Sequence, residues 1–179
     1  MKLIKLLFTI ISGIACIFLI VAAFAPTEYA IKRDIVVNKS KDEVFAYIKQ
    51  LKNMDNYSVW AKMDPDMEKT YQGADGQVGF IAAWDSENEM VGRGEQEIVK
   101  IVEGERINTV LRFYEPFEAT DDAYFTTEAL DPRNTKITWG FSGGMSYPTN
   151  IMLLIMDMEK ELGGHLANSL KNLKVILEK

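Results

Sequence analysis

The longest apolar segment of the chain is its first. Residues 6–25, LLFTIISGIACIFLIVAAFA, contain no charge and no proline, with Lys2 and Lys5 before them and Pro26 after. A helix of this length, at about 1.5 Å per residue, extends about 30 Å, the thickness of the hydrocarbon core of a bilayer. The pattern therefore predicts a transmembrane anchor over residues 1–26, followed by a linker at 27–30 and a domain at 31–179.

Two other interpretations of this segment stay open. Ala23-Phe24-Ala25 has the small residues at −3 and −1 that a signal peptidase recognises. Cleavage after Ala25 would give a secreted or periplasmic protein. However, Pro26 would follow the cut, and the apolar run exceeds the usual signal length of about 7–15 residues. A lipid on Cys16 is the other alternative, but the chain stays apolar after this cysteine.

The charges beside the apolar segment bear on its orientation. Lys2 and Lys5 favour a cytoplasmic N-terminus with the domain on the other side of the membrane. Lys32 and Arg33 lie on the far side and weaken this asymmetry. We therefore predict a single-pass protein with its domain outside the cytoplasm.

Beyond residue 30, apolar side chains alternate with polar ones in several short segments. Ser40 and Glu43 form a capping box that begins a short helix, and a second helix or turn is expected at 53–60. The alternation predicts seven strands, joined mostly by turn sequences. They cover residues 31–38, 67–71, 78–85, 91–102, 106–115, 119–130 and 136–142.

The C-terminal pattern has the period of a helix. Apolar residues recur at spacings of three and four from about Tyr147 to Leu177, interrupted by Gly163-Gly164. One long helix with a single apolar face has to pack on one face of an antiparallel sheet. The sequence therefore predicts an α+β fold.

Charge and cysteine content exclude several classes of protein. The chain has 20 Lys and Arg against 26 Asp and Glu, and its single cysteine is Cys16 in the apolar segment. This acidic balance without a basic cluster argues against a nucleic-acid partner. The domain has no thiol for a disulfide or a thiolate metal site, and the lone His165 is weak evidence for metal, so no metal or cofactor is predicted.

Several short motifs occur in an order that resembles a known superfamily. The motifs are Tyr57-Ser58-Val59-Trp60-Ala61, Gly73-Ala74-Asp75-Gly76-Gln77-Val78-Gly79, Trp84, Val91-Gly92-Arg93-Gly94, Arg106-Ile107, Glu115-Pro116-Phe117-Glu118-Ala119-Thr120, Thr135-Lys136-Ile137-Thr138-Trp139, Met156-Asp157-Met158-Glu159-Lys160 and Gly163-Gly164. Together they resemble the SRPBCC superfamily (START and Bet v 1-like domains), and within it the polyketide cyclase/dehydrase branch. The resemblance covers residues 31–179 and leaves the N-terminal helix as an addition.

The resemblance implies a helix-grip fold, in which a seven-stranded antiparallel sheet wraps around the C-terminal helix. It also implies a cavity between sheet and helix that holds lipids, sterols, polyketides or other apolar molecules. A minority of the superfamily are enzymes, whose polar residues differ between subgroups. No such catalytic set is recognised in this chain, and no nucleophile–His–acid arrangement is visible.

Aromatic and methionine side chains on the expected inward faces are the candidate cavity lining. A pliable apolar pocket is one interpretation, because methionine fills irregular space and aromatic rings form flat walls. A filled core is the other, because a small domain buries such residues in any case. The candidates are Trp60, Phe80, Trp84, Phe113, Trp139, Phe141, Met152 and Met156.

Three functions are compatible with this sequence. The first is a membrane-anchored domain that binds an apolar small molecule or lipid in its cavity. The second is a cyclase-, dehydratase- or hydrolase-like enzyme, which needs at least two titratable groups in the cavity. The third is a ligand-free interaction module, which would lack a pocket of about 300 Å³.

Overall fold

A computed structural model describes residues 2–179. They form five α-helices, two 3-10 helices and seven strands. The helices are α1 (Lys2–Phe24), α2 (Lys41–Ile48), α3 (Met54–Tyr57), α4 (Val59–Met63) and α5 (Met158–Leu177), with 3-10 helices at Leu51–Asn53 and Thr149–Leu154. The strands are β1 (Glu28–Val37), β2 (Glu68–Gln72), β3 (Ile81–Asp85), β4 (Arg93–Val102), β5 (Arg106–Glu115), β6 (Ala119–Asp131) and β7 (Asn134–Gly144).

The seven strands form one antiparallel sheet in the order β1-β7-β6-β5-β4-β3-β2. The chain therefore has the predicted α+β architecture, with a seven-stranded sheet and a long C-terminal helix. Strand β1 begins at Glu28, inside the predicted linker. The capping box is confirmed, because the Ser40 hydroxyl accepts from the Glu43 N–H while the Glu43 carboxylate accepts from the Ser40 N–H.

The chain divides into two compact units. The sheet unit comprises Ala30–Gly143 and Glu159–Lys179, and the helix unit comprises the residues up to Tyr29 and Gly144–Met158. The sheet unit has a core shared by the inward strand faces, α2 and α5. Its fully buried side chains include Val37, Val44, Ile48, Ile98, Ile107, Phe125, Ile137, Leu166, Leu170 and Leu173.

Two hydrogen bonds hold the short helices α3 and α4 against α5. The Ser169 hydroxyl accepts from the Val59 N–H at 3.0 Å, and the Asn172 side-chain amide donates to the Tyr57 carbonyl at 3.0 Å. The Asp75 carboxylate accepts from the backbone N–H groups of Leu51 (2.8 Å) and Lys52 (3.2 Å), so the β2–β3 loop is tied to the same region. These contacts fix the helical segment that covers one end of the sheet.

In the helix unit, α1 is long and apolar enough to cross a membrane, and it is the one such helix in residues 2–179. A signal sequence near an N-terminus meets the same criteria. The buried Asn150 amide donates to the carbonyls of Ala22 (2.8 Å) and Ala25 (3.1 Å) at the end of α1. These bonds satisfy backbone acceptors that the end of a helix leaves open.

Candidate ligand cavity

The sheet unit contains a cavity of about 340 Å³. Its walls come from the inward faces of β2 to β7, from the α3–α4 segment and from the first half of α5. This volume is within the range of about 300–1,000 Å³ that small-molecule sites occupy. Most lining side chains are apolar, among them Leu51, Met54, Trp60, Met67, Ala82, Trp84, Val91, Leu111, Phe113, Phe117, Ala123, Trp139, Phe141, Leu162 and Leu166.

Aromatic side chains form two edge-to-face pairs in this lining. The rings of Trp60 and Trp139 are 6.3 Å apart, and those of Trp84 and Phe113 are 5.9 Å apart. Such pairs add about 0.5–1.5 kcal/mol beyond burial and so stabilise this arrangement of the rings. The Trp84 indole N–H also donates to the Val91 carbonyl at 3.3 Å. All three tryptophans of the sequence line the cavity.

Five of the eight candidate residues, Trp60, Trp84, Phe113, Trp139 and Phe141, come together around this space. Phe80 does not belong to the lining. It is 1% exposed, precedes β3 and stacks on Tyr71 with 6.2 Å between ring centroids. Phe80 therefore packs behind a wall residue instead of facing the cavity.

Met152 and Met156 lie outside the lining. Because α5 begins at Met158, about eleven residues later than predicted, neither methionine is part of the long helix. They lie in the helix unit, within and just after the 3-10 helix Thr149–Leu154, and are 43% and 41% exposed. The physical reason is that Asp157 directly precedes the helix and Glu159 lies in its first turn, where acidic residues stabilise an N-terminus.

One chain of hydrogen bonds crosses the polar part of the lining. The Gln96 side-chain amide nitrogen donates to the Thr109 hydroxyl at 2.9 Å, and this hydroxyl donates to the Ala123 carbonyl at 3.4 Å. Gln96 and Thr109 are both buried, on neighbouring strands. Two hydroxyl groups are the other neutral polar groups of the lining: those of Ser58 at the beginning of α4 and of Tyr71 in β2.

Charged groups of the lining lie on α3, on β2, between β3 and β4 and at the end of β5, and some of them are paired. Lys69 forms an ion pair with Asp55 at 3.0 Å, and the Tyr71 hydroxyl donates to the same carboxylate at 3.0 Å. Burial and then this hydrogen bond raise the pKa of Tyr71 to about 12, so the phenol stays neutral at physiological pH. Glu89 and Glu115 add negative charge, and Glu115 also pairs with Arg93 at 3.0 Å.

Two further titratable residues, His165 and Asp121, are not part of the lining. The His165 ring contacts Trp60 at 5.3 Å between centroids and is not part of the lining. Asp121 is buried on the inward face of β6. Within residues 2–179, no group of three or more His, Cys, Asp and Glu side chains is placed to hold a metal ion.

The fold is shared with solved structures of low sequence identity. No protein-family model matches the sequence, and no curated protein matches it. A norcoclaurine synthase from Thalictrum aligns with a TM-score of 0.62 at 11% identity, covering 85% of this chain and 97% of that one. The Aha1 dimer protein from Colwellia psychrerythraea aligns with a TM-score of 0.58 at 14% identity, covering 84% of this chain and 96% of that one. Ara h 8.0201 aligns with a TM-score of 0.52 at 12% identity, covering 84% of this chain and 97% of that one.

These alignments and the strand order decide the architecture. The chain has the Bet v 1-like helix-grip fold. The structural alignments establish a shared fold. At identities this low, the activities of these proteins are not transferred to this chain.

Gln96 is a polar residue of the cavity lining that is not among the predicted candidates. A signal for it exists, because Gly94, Gln96 and Ile98 are buried in β4 while Glu95 and Glu97 between them are only half-buried. A single amide on the inward side of an alternating strand is a polar group that the fold has to satisfy. The predicted candidates are all aromatic or methionine residues, and apolar content does not select an amide.

Proposed function

We propose that this chain is a membrane-anchored helix-grip domain that binds an apolar small molecule or lipid in its cavity. The observation that carries the proposal is the 340 Å³ cavity with its tryptophan and phenylalanine walls. A ligand-free module would fill this space with side chains, because protein interiors are close-packed. The finer resemblance to the polyketide cyclase/dehydrase branch belongs to this proposal and adds no reaction to it.

The apolar walls set the chemical class of the occupant. Water is a poor occupant of a cavity lined mainly by aromatic and aliphatic carbon, because each water needs two to four polar partners. An apolar molecule of matching size gains from leaving water at roughly 25 cal/mol per Å² of buried surface. The best-supported ligand is therefore largely hydrocarbon.

The three tryptophans allow a direct binding test with the full chain in phosphatidylcholine vesicles. All tryptophan emission comes from Trp60, Trp84 and Trp139 in the cavity, because α1 contains none. We expect an apolar probe with a terminal bromine to quench this emission saturably, since bromine quenches on contact. Quenching that rises linearly with probe concentration, together with no lipid bound to the purified chain in native mass spectrometry, would contradict the proposal.

The anchor is the second part of the proposal. Helix α1 spans 23 residues, and its apolar side chains are largely exposed, as a lipid-facing helix requires. Asn150 supports retention of the segment, because cleavage after Ala25 would remove both carbonyls that its buried amide binds. Ile155, 74% exposed, and Leu154 extend the apolar surface of the same unit.

Retention of the N-terminus is measurable. We expect membranes of expressing cells to hold the chain with its first 25 residues intact by mass spectrometry, and carbonate washing to leave it there. A chain lacking residues 2–24 should move to the soluble fraction. We also propose that the domain lies outside the cytoplasm, so that a C-terminal tag is accessible to protease in intact spheroplasts. A mature form beginning at Pro26 would overturn the anchor and leave the cavity proposal in place.

A further inference from the structure

Gln96 is the one amide side chain in the cavity lining. It is 6% exposed and lies on the inward face of β4, opposite Ala82 on β3 and Leu111 on β5. On the outer face of the same strand, Glu95 and Glu97 are both bound by Arg112. The charges of β4 thus stay outside, and a neutral polar group remains inside.

The hydrogen-bond chain determines which end of the Gln96 amide is free. The Thr109 hydroxyl has one proton, and the Ala123 carbonyl that it contacts can only accept. The hydroxyl accepts from the Gln96 NH₂ group at 2.9 Å, and Oε1 is therefore turned away from Thr109. The described residues provide no hydrogen-bond donor to Oε1.

A carbonyl oxygen fixed in this way selects among apolar ligands. Because Gln96 lines the cavity and is otherwise buried, an occupant meets an acceptor that water cannot easily satisfy. A ligand hydroxyl would donate to it. A carboxylate would place a second acceptor against it, among the acidic groups Asp55, Glu89 and Glu115, and the lining's single lysine, Lys69, is already paired with Asp55.

We propose that Gln96 is the specificity-determining residue of the cavity and that the ligand is a neutral apolar molecule with a hydroxyl group, such as a long-chain alcohol or a sterol. This inference rests on the proposed ligand-binding function. The Ser58 hydroxyl can both donate and accept, so it does not discriminate between an alcohol and an acid. Gln96 does discriminate between them, because its nitrogen is bonded to Thr109 and only its acceptor oxygen is available to a ligand.

Four matched probes test the inference in vesicles that contain the full chain. They are bromoalkyl chains of equal length ending in a hydroxyl, a methyl ether, a carboxylate or a methyl group, each corrected for its measured partition into the lipid. We expect the alcohol to quench tryptophan emission at a concentration roughly tenfold lower than the ether or the acid. The ether is neutral like the alcohol but has no O–H group, so comparing the two measures the effect of hydrogen-bond donation without a change of charge.

The variant Gln96→Leu removes the acceptor at similar volume. It should abolish the preference for the alcohol and bind the alkane as well as or better than the unchanged chain does. Thr109→Val is a second variant, which frees the amide to turn its nitrogen towards the ligand and should reduce the preference. Thermal unfolding followed by tryptophan emission shows whether each variant is folded.

The outcomes separate the two proposals. If none of the four probes quenches saturably, ligand binding itself fails. If all four bind the unchanged chain equally, or if the ether or acid binds as well as the alcohol, the cavity function stands and the role of Gln96 is overturned. Persistence of the alcohol preference in folded Gln96→Leu also overturns it.

Discussion

Replacing Ala82 with phenylalanine should abolish most ligand binding. Ala82 lies on β3 opposite Gln96 and lines the cavity, so a phenyl ring at this position would occupy the space that a ligand needs. We expect saturable quenching by the bromoalkyl alcohol to require at least about tenfold more probe, which corresponds to about 1.4 kcal/mol or more of lost binding free energy. Tryptophan quenching in vesicles measures the change directly.

An exposed alanine in another strand provides the matched control. Ala129 lies near the end of β6, is exposed, and is absent from the cavity lining. Ala129→Phe adds the same side chain without entering the cavity, so its quenching curve should match that of the unchanged chain. Equal affinity of folded Ala82→Phe and Ala129→Phe would mean that the probe binds elsewhere.

The longer strands could be predicted from the sequence because apolar and polar side chains alternate along them, as in β4 and β6, where alternate residues are buried. Alternation in β5 gave its limits, Arg106 and Glu115, as the structure has them. It also placed Phe113 and Trp139 on inward faces, where both line the cavity. Side-chain direction in a strand follows from position alone, so the sequence is sufficient for this part of the site.

The beginning of α5 and the role of Phe80 depended on tertiary context. The apolar spacing of 147–157 suits a helix, yet 149–154 forms a 3-10 helix within a different compact unit from most of α5. Phe80 is an even number of residues from Trp84, so alternation predicts the same inward face for both, but Phe80 precedes β3. There the Gly79 N–H donates to the Ile98 carbonyl, and the Phe80 ring stacks on Tyr71. Periodicity predicts which face of an element a side chain lies on. It does not predict whether that side chain lines the cavity or packs behind a residue that does.

The second large effect concerns Gly94 in the Val91-Gly92-Arg93-Gly94 motif. The β4–β5 register shifts between Arg93 and Gly94, and Trp84 lies opposite Gly94 on β3. A Cβ atom on Gly94 would lie 2.5 Å from the Arg112 carbonyl oxygen and 2.7 Å from the Trp84 ring. Glycine is therefore required for the close approach of the neighbouring backbone, and the motif serves the cavity wall.

Gly94→Ala should consequently lower the stability of the sheet unit by about 2–3 kcal/mol, as overpacking does in other cores. For a chain of this size we expect a drop in Tm of roughly 5–10 °C, measured by tryptophan emission in vesicles. The emission maximum of the folded variant should also shift, because the Arg112 carbonyl is fixed in the sheet and the Trp84 ring is the group that can move.

Gly164 offers the same substitution with the opposite expected sign. It lies inside α5, and a Cβ atom there would meet nothing within 4 Å. Gly164→Ala should therefore raise stability by about 0.5–1 kcal/mol, because alanine restricts the unfolded chain and favours the helix. If Gly94→Ala were as stable as Gly164→Ala, Trp84 and β5 would have to yield without cost. The wall beside Gln96 would then be too soft to hold the amide in the fixed orientation that alcohol selectivity requires.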